Sequence, residues 1–199
     1  RGGNDIILRP KTNNDMENTN GMLDMSEKEM LNMWKTLLHI DTARHDCTLE
    51  REDGIDLDSL LTMHLRRWYA ELLATAPPEL LPTDDVAAEV ALTADANGAV
   101  TAMMPAQCVR PVEWQLSNWQ RSVTRFLQPD DPETTPQHNQ WTCGKSHNPA
   151  AIDYGNRLLL LSCAPGVKPE LTMARCVVRP ADGHYRLHQR LIAQLPDLQ

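Results

Sequence analysis

Residues 105–151 read PAQCVRPVEWQLSNWQRSVTRFLQPDDPETTPQHNQWTCGKSHNPAA. Three of the five Trp lie here, Trp114, Trp119 and Trp141, in a chain that is only 5% aromatic. Val112, Trp114 and Leu116 alternate with Glu113 and Gln115, the period-two pattern of a half-buried strand. Ser117-Asn118 is turn-like. Trp119, Arg121, Val123 and Arg125 then continue the alternation on a second strand, with Trp119 expected to fold back over the hairpin. Residues 128–140 form a polar loop punctuated by Pro129, Pro132 and Pro136, of a length that usually signals function or mobility. Trp141 to Lys145 resumes as a short strand or bend. Two strands with a tight turn between them imply antiparallel pairing, so the flanking segments decide the fold class.

Upstream, the pattern is helical. Ser26-Glu27-Lys28-Glu29 is a capping box, and Met30, Met33, Trp34, Leu37 and Leu38 share one face of a helix expected over about 26–40. Asp56 caps a longer helix over about 56–75, striped by Leu57, Leu60, Leu61, Leu65, Trp68, Leu72 and Leu73 and ended by Ala76-Pro77-Pro78. Residues 1–24 are polar and without period, and are read as a flexible arm whose Ile6-Ile7-Leu8 island can dock on a neighbour. Residues 41–54 are a charged connector holding His45 and Cys47.

Downstream of the helices the chain reads as antiparallel strands over about 86–178. Val86–Ala94 and Ala99–Met104 flank Asn97-Gly98, a strong hairpin signal because both residues tolerate positive φ. Residues 150–154 and 157–163 flank Gly155-Asn156, and the run Leu158–Leu161 predicts a strand covered on both faces. Ala164-Pro165-Gly166 turns the chain, and Leu171–Val178 is the last strand. Leu187, Leu191, Ile192 and Leu195 then fall at helical spacing, predicting a short helix over about 183–195. Helices, then antiparallel strands, then a helix make an α+β layout rather than an alternating α/β one. N-terminal helices should pack on a β-hairpin domain, residues 25–199 forming one domain.

The chain has 199 residues and a net charge of −8, unevenly spread. Residues 25–104 carry six Lys/Arg against fifteen Asp/Glu, whereas residues 105–199 carry ten against eight. An acidic half beside a near-neutral one argues against a general nucleic-acid binder, whose footprint is a basic patch; it suits either a solvated helix surface or copies that meet head to side. The five Cys are odd in number and contain no CxxC pair. With no signal-peptide pattern, they are expected as free thiols of a reducing compartment. No apolar run approaches the roughly 20 residues of a membrane span.

The candidate chemistry is thin. Cys143 and His147 in CGKSH could pair as nucleophile and base, but the segment offers no third group or oxyanion donor. His184 and His188 stand at the i, i+4 spacing that holds a metal on a helix, without a third ligand or an intervening Glu. GKS at Gly144–Ser146 lacks the spaced glycine of a phosphate loop. Asp84-Asp85 and Asp130-Asp131 sit beside prolines as turn formers. The residues therefore predict no catalytic group, cofactor or metal site. They leave Arg110, Trp114, Trp119, Arg121 and Trp141 as candidate interface residues, since Trp and Arg are favoured anchors. A cytosolic Cys/His hydrolase or transferase, and a soluble interaction module with hairpin edges as its binding surface, remain the alternatives.

Three segments carry a resemblance to the head–tail connector (adaptor or neck ring) proteins of tailed phages, including those of crAss-like gut phages and the tail-tubular adaptors of short-tailed phages. They are MMPAQCVRPVEWQLSNWQRSV with its Trp119-x-Arg121-x-Val123, QHNQWTCGKSHNPAA with its Gln-x-Asn spacing before Gly and Pro, and DLDSLLTMHLRRWYAELLATAPPELL. Together they cover roughly residues 55–165. Ala106-Gln107 stand where such proteins often carry acidic residues. The resemblance implies a non-enzymatic virion protein, made in the bacterial host cytoplasm and placed at the neck. Its copies would form a ring between the portal protein and the tail proteins. That ring would extend the channel through which double-stranded DNA passes without sequence-specific binding.

Overall fold

A computed structural model describes residues 21–38, 56–95, 98–139, 141–161, 168 and 170–195. Among these the chain is α+β, with antiparallel sheets. Strand β1 (Met22–Ser26) leads into helix α1 (Glu27–Leu37), and helix α2 (Leu57–Thr75) follows. Both helix starts form as the sequence predicts. Ser26 Oγ accepts from Glu29 N while the Glu29 carboxylate accepts from Ser26 N at 2.8 Å. Asp56 accepts from the amides of Asp58 and Ser59. These side chains satisfy amides that a helix leaves without partners. At its other end, α2 stops at Ala76, before Pro77.

After a short 3₁₀ turn at Pro78–Leu80 come β2 (Thr83–Asp85), β3 (Ala91–Ala94), β4 (Val100–Met103) and β5 (Cys108–Leu116). A single helical turn, α3 (Thr134–Gln137), interrupts the long loop, followed by β6 (Ala150–Asp153), β7 (Arg157–Leu161), β8 (Leu171–Val178) and β9 (His184–His188). They form a ribbon β1-β9, a sheet β2-β8-β5 and a sheet β3-β4-β7-β6. The β3–β4 and β6–β7 hairpins are those read from the sequence, with Gly98 at φ +85° and Gly155 at φ +87° in their turns. Asn97, beside Gly98, lies outside the described residues. Leu158, Leu160 and Leu161 are buried and Leu159 half-buried, as a strand covered on both faces requires.

The β2-β8-β5 sheet is the wall between two cores. On one side, α1, α2 and the β1-β9 ribbon enclose Met30, Trp34, Leu61, Leu65, Leu73, Tyr185, Leu187 and Val177. On the other, Trp114, Leu116, Ala174 and Cys176 meet Val100, Ala102, Leu158 and Leu160 of the second sheet. Neighbouring residues of β8 thus serve opposite cores, as the pleat dictates. β5 departs from simple alternation. Register shifts lie between Cys108 and Arg110 and again between Pro111 and Glu113. An extra residue reverses which face the following side chains address. Val112 consequently packs toward the helices while Trp114 packs into the sandwich, so the common face expected for the two is split. Pro111, which has no N–H to donate, is tolerated at this bulge on an edge strand.

Four expectations are corrected. First, residues 22–24 are not arm but part of β1, whose partner β9 lies far along the sequence; Ile6-Ile7-Leu8 falls outside the described residues, as do His45, Cys47 and the 164–166 turn. Second, residues 183–195 are not a helix. Gly183, at φ +78°, turns the chain into β9, where Tyr185 and Leu187 are buried at period two, and a 3₁₀ segment Gln189–Gln194 buries Leu191. Third, residues 86–90 form a turn held by the Asp85 carboxylate, which accepts from Ala87 N at 3.0 Å, so β3 begins only at Ala91.

Fourth, residues 119–125 do not form a full strand. Val123 exchanges two backbone bonds with Trp114, at 2.9 and 2.8 Å, and Leu127 then bonds Ala151 and Asp153 of β6. The segment crosses from the edge of one sheet to the edge of the other. It covers ladder groups that an open edge would expose, and this crossing is what prevents long pairing with either sheet.

Candidate interaction surface

The five candidate interface residues have three different fates. Trp114 and Trp119 are core residues, 0% and 4% exposed. This corrects their reading as anchors, because neither indole presents a face at the surface. Trp114 Nε1 finds no nitrogen or oxygen partner and faces the Cys176 thiol, a weak acceptor. Arg110 is an internal bracket. Its Nε donates to Leu73 O at 3.1 Å and its Nη2 to Ala76 O, the carbonyls that end α2, and burial pulls its pKa below the usual guanidinium value. Arg121 is exposed and donates to Asn148 Oδ1. Trp141 alone among the three Trp is a surface residue, 82% exposed.

What holds Trp141 outward is a loop built of short-range bonds. Thr134, 3% exposed, donates from Oγ1 to Gln128 O at 2.7 Å. Arg125 pairs with Glu133 at 3.0 Å and Asp131 at 3.6 Å. Gly144 N donates to Gln137 Oε1 at 2.8 Å, Cys143 N to Asn139 O at 2.8 Å, and Trp141 N to Asn139 Oδ1 at 2.9 Å. Gln120 N donates to Ser146 O at 2.8 Å, tying the loop to the turn that follows β5. In the sequence the three prolines and polar side chains read as a long polar loop; here polar side chains of that loop supply its own hydrogen bonds.

A cavity of about 480 Å³ opens at the opposite end of the β5–β8 ribbon, between α2 and the turn preceding β9. Arg66 grips Glu27 there with both Nε and Nη2, at 2.8 and 2.9 Å, and Tyr185 Oη donates to the same carboxylate at 3.1 Å. Arg66 holds the Glu27 carboxyl below the usual range, and the Tyr185 phenol is pushed up to about 12 by burial and by the Glu27 charge. Leu73, Ala70 and Pro180 supply apolar wall. Arg179 lines the cavity with an exposed guanidinium that makes no side-chain hydrogen bond or ion pair among the described residues. No sequence pattern announces this cavity, since its walls come from segments more than 100 residues apart.

The chemical candidates are not assembled. His147 makes no hydrogen bond among the described residues, and the Cys143 sulfur has Lys145 Nζ at 3.9 Å. His184 and His188 lie on a strand, where four residues span about 13 Å rather than one helical turn, too far to share a metal. His184 instead faces Asp24 at 3.6 Å, and His188 Nδ1 accepts from Arg190 N at 3.1 Å. Asp85 accepts from Ala174 N at 2.9 Å and Asp131 from Glu133 N at 3.0 Å, so one carboxylate of each Asp-Asp pair is engaged in the fold. Cys108, Cys143 and Cys176 are free thiols. Burial pushes Cys176 up to about 12 and raises Cys108, the opposite of a reactive thiolate. Among the described residues no cluster of His, Cys, Asp and Glu can hold a metal, and no helix is long and apolar enough to cross a membrane. No family model and no curated protein matches this sequence.

Proposed function

We propose that this chain is a structural subunit of a phage head–tail connector, a ring that joins the portal to the tail and lengthens the DNA channel. The observation that carries the reading is Trp141, a large aromatic 82% exposed on a loop stiffened by its own hydrogen bonds. Such a side chain is costly to leave in water and is the commonest kind of interface anchor. The resemblance over residues 55–165, in QHNQWTCGKSHNPAA among other segments, points to the same class. The acidic balance of residues 25–104 is consistent with a surface that repels passing DNA instead of gripping it.

The test is assembly. Purified protein, alone at high concentration and mixed with a portal ring, is imaged by negative-stain microscopy and weighed by light scattering. Ring particles, or a monomer that assembles only on the portal, support the reading. A protein that stays monomeric and binds no portal overturns it.

A further inference from the structure

Cys108 opens β5 and Cys176 lies near the end of β8, on adjacent strands of the wall between the two cores. Cys108 stands opposite Val178, and Cys176 opposite Pro111. Cys108, Cys176 and Val178 all pack into the sandwich core, so both thiols lie on one face of the sheet. Across that face the thiols are hydrogen-bond partners, with Cys176 donating toward the Cys108 sulfur. Both are free. A disulfide forms without backbone movement only where two cysteines already point at each other, as this pair does.

The β5–β8 ladder is irregular at this point. Register shifts fall between Cys108 and Arg110 and between Pro111 and Glu113, and Pro111, opposite Cys176, has no N–H to donate. A covalent link here fastens the two strands where their backbone pairing is interrupted. It also closes a loop from residue 108 to residue 176 that includes α3 and the β6–β7 hairpin. Cross-links that close long loops restrict the unfolded chain most.

We infer that Cys108 and Cys176 are a dithiol that closes into an intrachain disulfide when the protein meets an oxidising disulfide of low molecular weight. The two cysteines have unequal parts. Cys108 is half-buried and reachable, whereas Cys176 is wholly buried. The hydrogen bond between them favours the Cys108 thiolate and disfavours ionisation of Cys176. Cys108 is therefore the attacking sulfur. Its thiolate displaces one thiol from the reagent and leaves a mixed disulfide on Cys108. Cys176 then gives up its proton and attacks the Cys108 sulfur, expelling the second reagent thiol. Two protein thiols are oxidised, and one reagent disulfide is reduced to two thiols. Burial opposes thiolate formation at both cysteines, so closure is slow at neutral pH. Burial also shields Cys176 from a reagent molecule of its own, which leaves Cys108 as its reaction partner.

Peptide mapping of the full-length protein tests this. The chain is incubated with glutathione disulfide at about pH 8.5, near the pKa of a free thiol. It is then alkylated, digested and analysed by mass spectrometry without reduction. The peptides holding Cys108 and Cys176 should be recovered joined, and dithiothreitol should release them. Oxidised wild type, freed of reagent, should melt roughly 5–15 °C above its reduced form. Cys108→Ser, altered at a half-buried strand end, should show no such rise, and circular dichroism checks its fold. Cys176 that remains an unlinked thiol after days of oxidation, or that is joined to any cysteine other than Cys108, overturns the inference. A linked protein that melts no higher than the reduced one overturns it too, as does a rise that persists in Cys108→Ser. Should Cys108→Ser fail to fold, the wild-type map and melt decide the matter without it.

Discussion

Tyr69 Oη occupies both backbone groups of Arg186, donating to its carbonyl at 2.9 Å and accepting from its amide at 3.1 Å. One helix side chain thus stands in for a missing strand beside β9, whose other edge is taken by β1. Burial pushes the phenol up to about 12, so it stays protonated and able to donate throughout the neutral range. Tyr69→Phe keeps the ring, packed edge-on against Tyr185 with centroids 4.9 Å apart, and removes only the hydroxyl. Two backbone groups then lose their partner, at a cost of about 1–3 kcal/mol. Urea denaturation should show that loss, and the Arg186 amide should exchange with solvent faster than its neighbours on β9.

Arg110 makes an equivalent bridge from sheet to helix. It binds the carbonyls of Leu73 and Ala76, at the negative end of α2, where no intrahelical donor remains. Arg110→Met keeps the aliphatic stem and deletes the charge-assisted bonds, with an expected loss of about 1.5–3 kcal/mol. Arg110→Lys should recover only part of it, because an ammonium cannot span two carbonyls as a planar fork does. Chemical denaturation of the three proteins gives the order wild type, Lys, Met.

The sequence made the start of α1 and α2 legible because caps act locally: Ser26 with Glu29, and Asp56, need no partner beyond four residues. The β6–β7 hairpin was legible for the same reason, through Gly155. β9 was not. Leu187, Leu191 and Ile192 mimic a helical stripe, and the information that makes β9 a strand sits in Met22–Ser26, some 160 residues earlier. Nor does composition distinguish one Trp from another. Trp114 is buried because two bulges set its face, Trp119 because a turn folds it inward, and Trp141 is exposed because Asn139 and Gln137 hold its loop outward. Arg110 is an interface residue only within the chain. The cavity is the least legible feature, being made by α2 and the turn before β9 coming together.

The two Trp environments should separate cleanly in solution. Trp114→Ala empties a fully buried site between two sheets and should cost about 3–5 kcal/mol. Trp141→Ala removes an exposed side chain and should leave the stability of the isolated chain within about 0.5 kcal/mol. Thermal melts measure both. Acrylamide quenching adds an independent readout: Trp141→Ala should remove the most quenchable share of the fluorescence.

The Glu27–Arg66–Tyr185 cluster predicts an acid sensitivity with a definite sign. Arg66, hydrogen-bonded to Glu27, depresses the carboxyl pKa in the folded state. A depressed carboxylate contributes stability that is fully present above its unfolded pKa, about 4.3, and that disappears as pH falls through the lower folded value. Wild type should therefore lose stability on acidification from about pH 5 downward more steeply than Glu27→Gln, which has no carboxyl to protonate. At neutral pH the variant should be the less stable of the two, and the gap should narrow as pH falls. The Arg66 side chain is 66% exposed, so salt should shrink the same gap by screening the pair. Urea titrations at pH 7, 5 and 3.5, at low and high salt, measure it; a gap that widens toward low pH would show that Glu27 acts by something other than its charge.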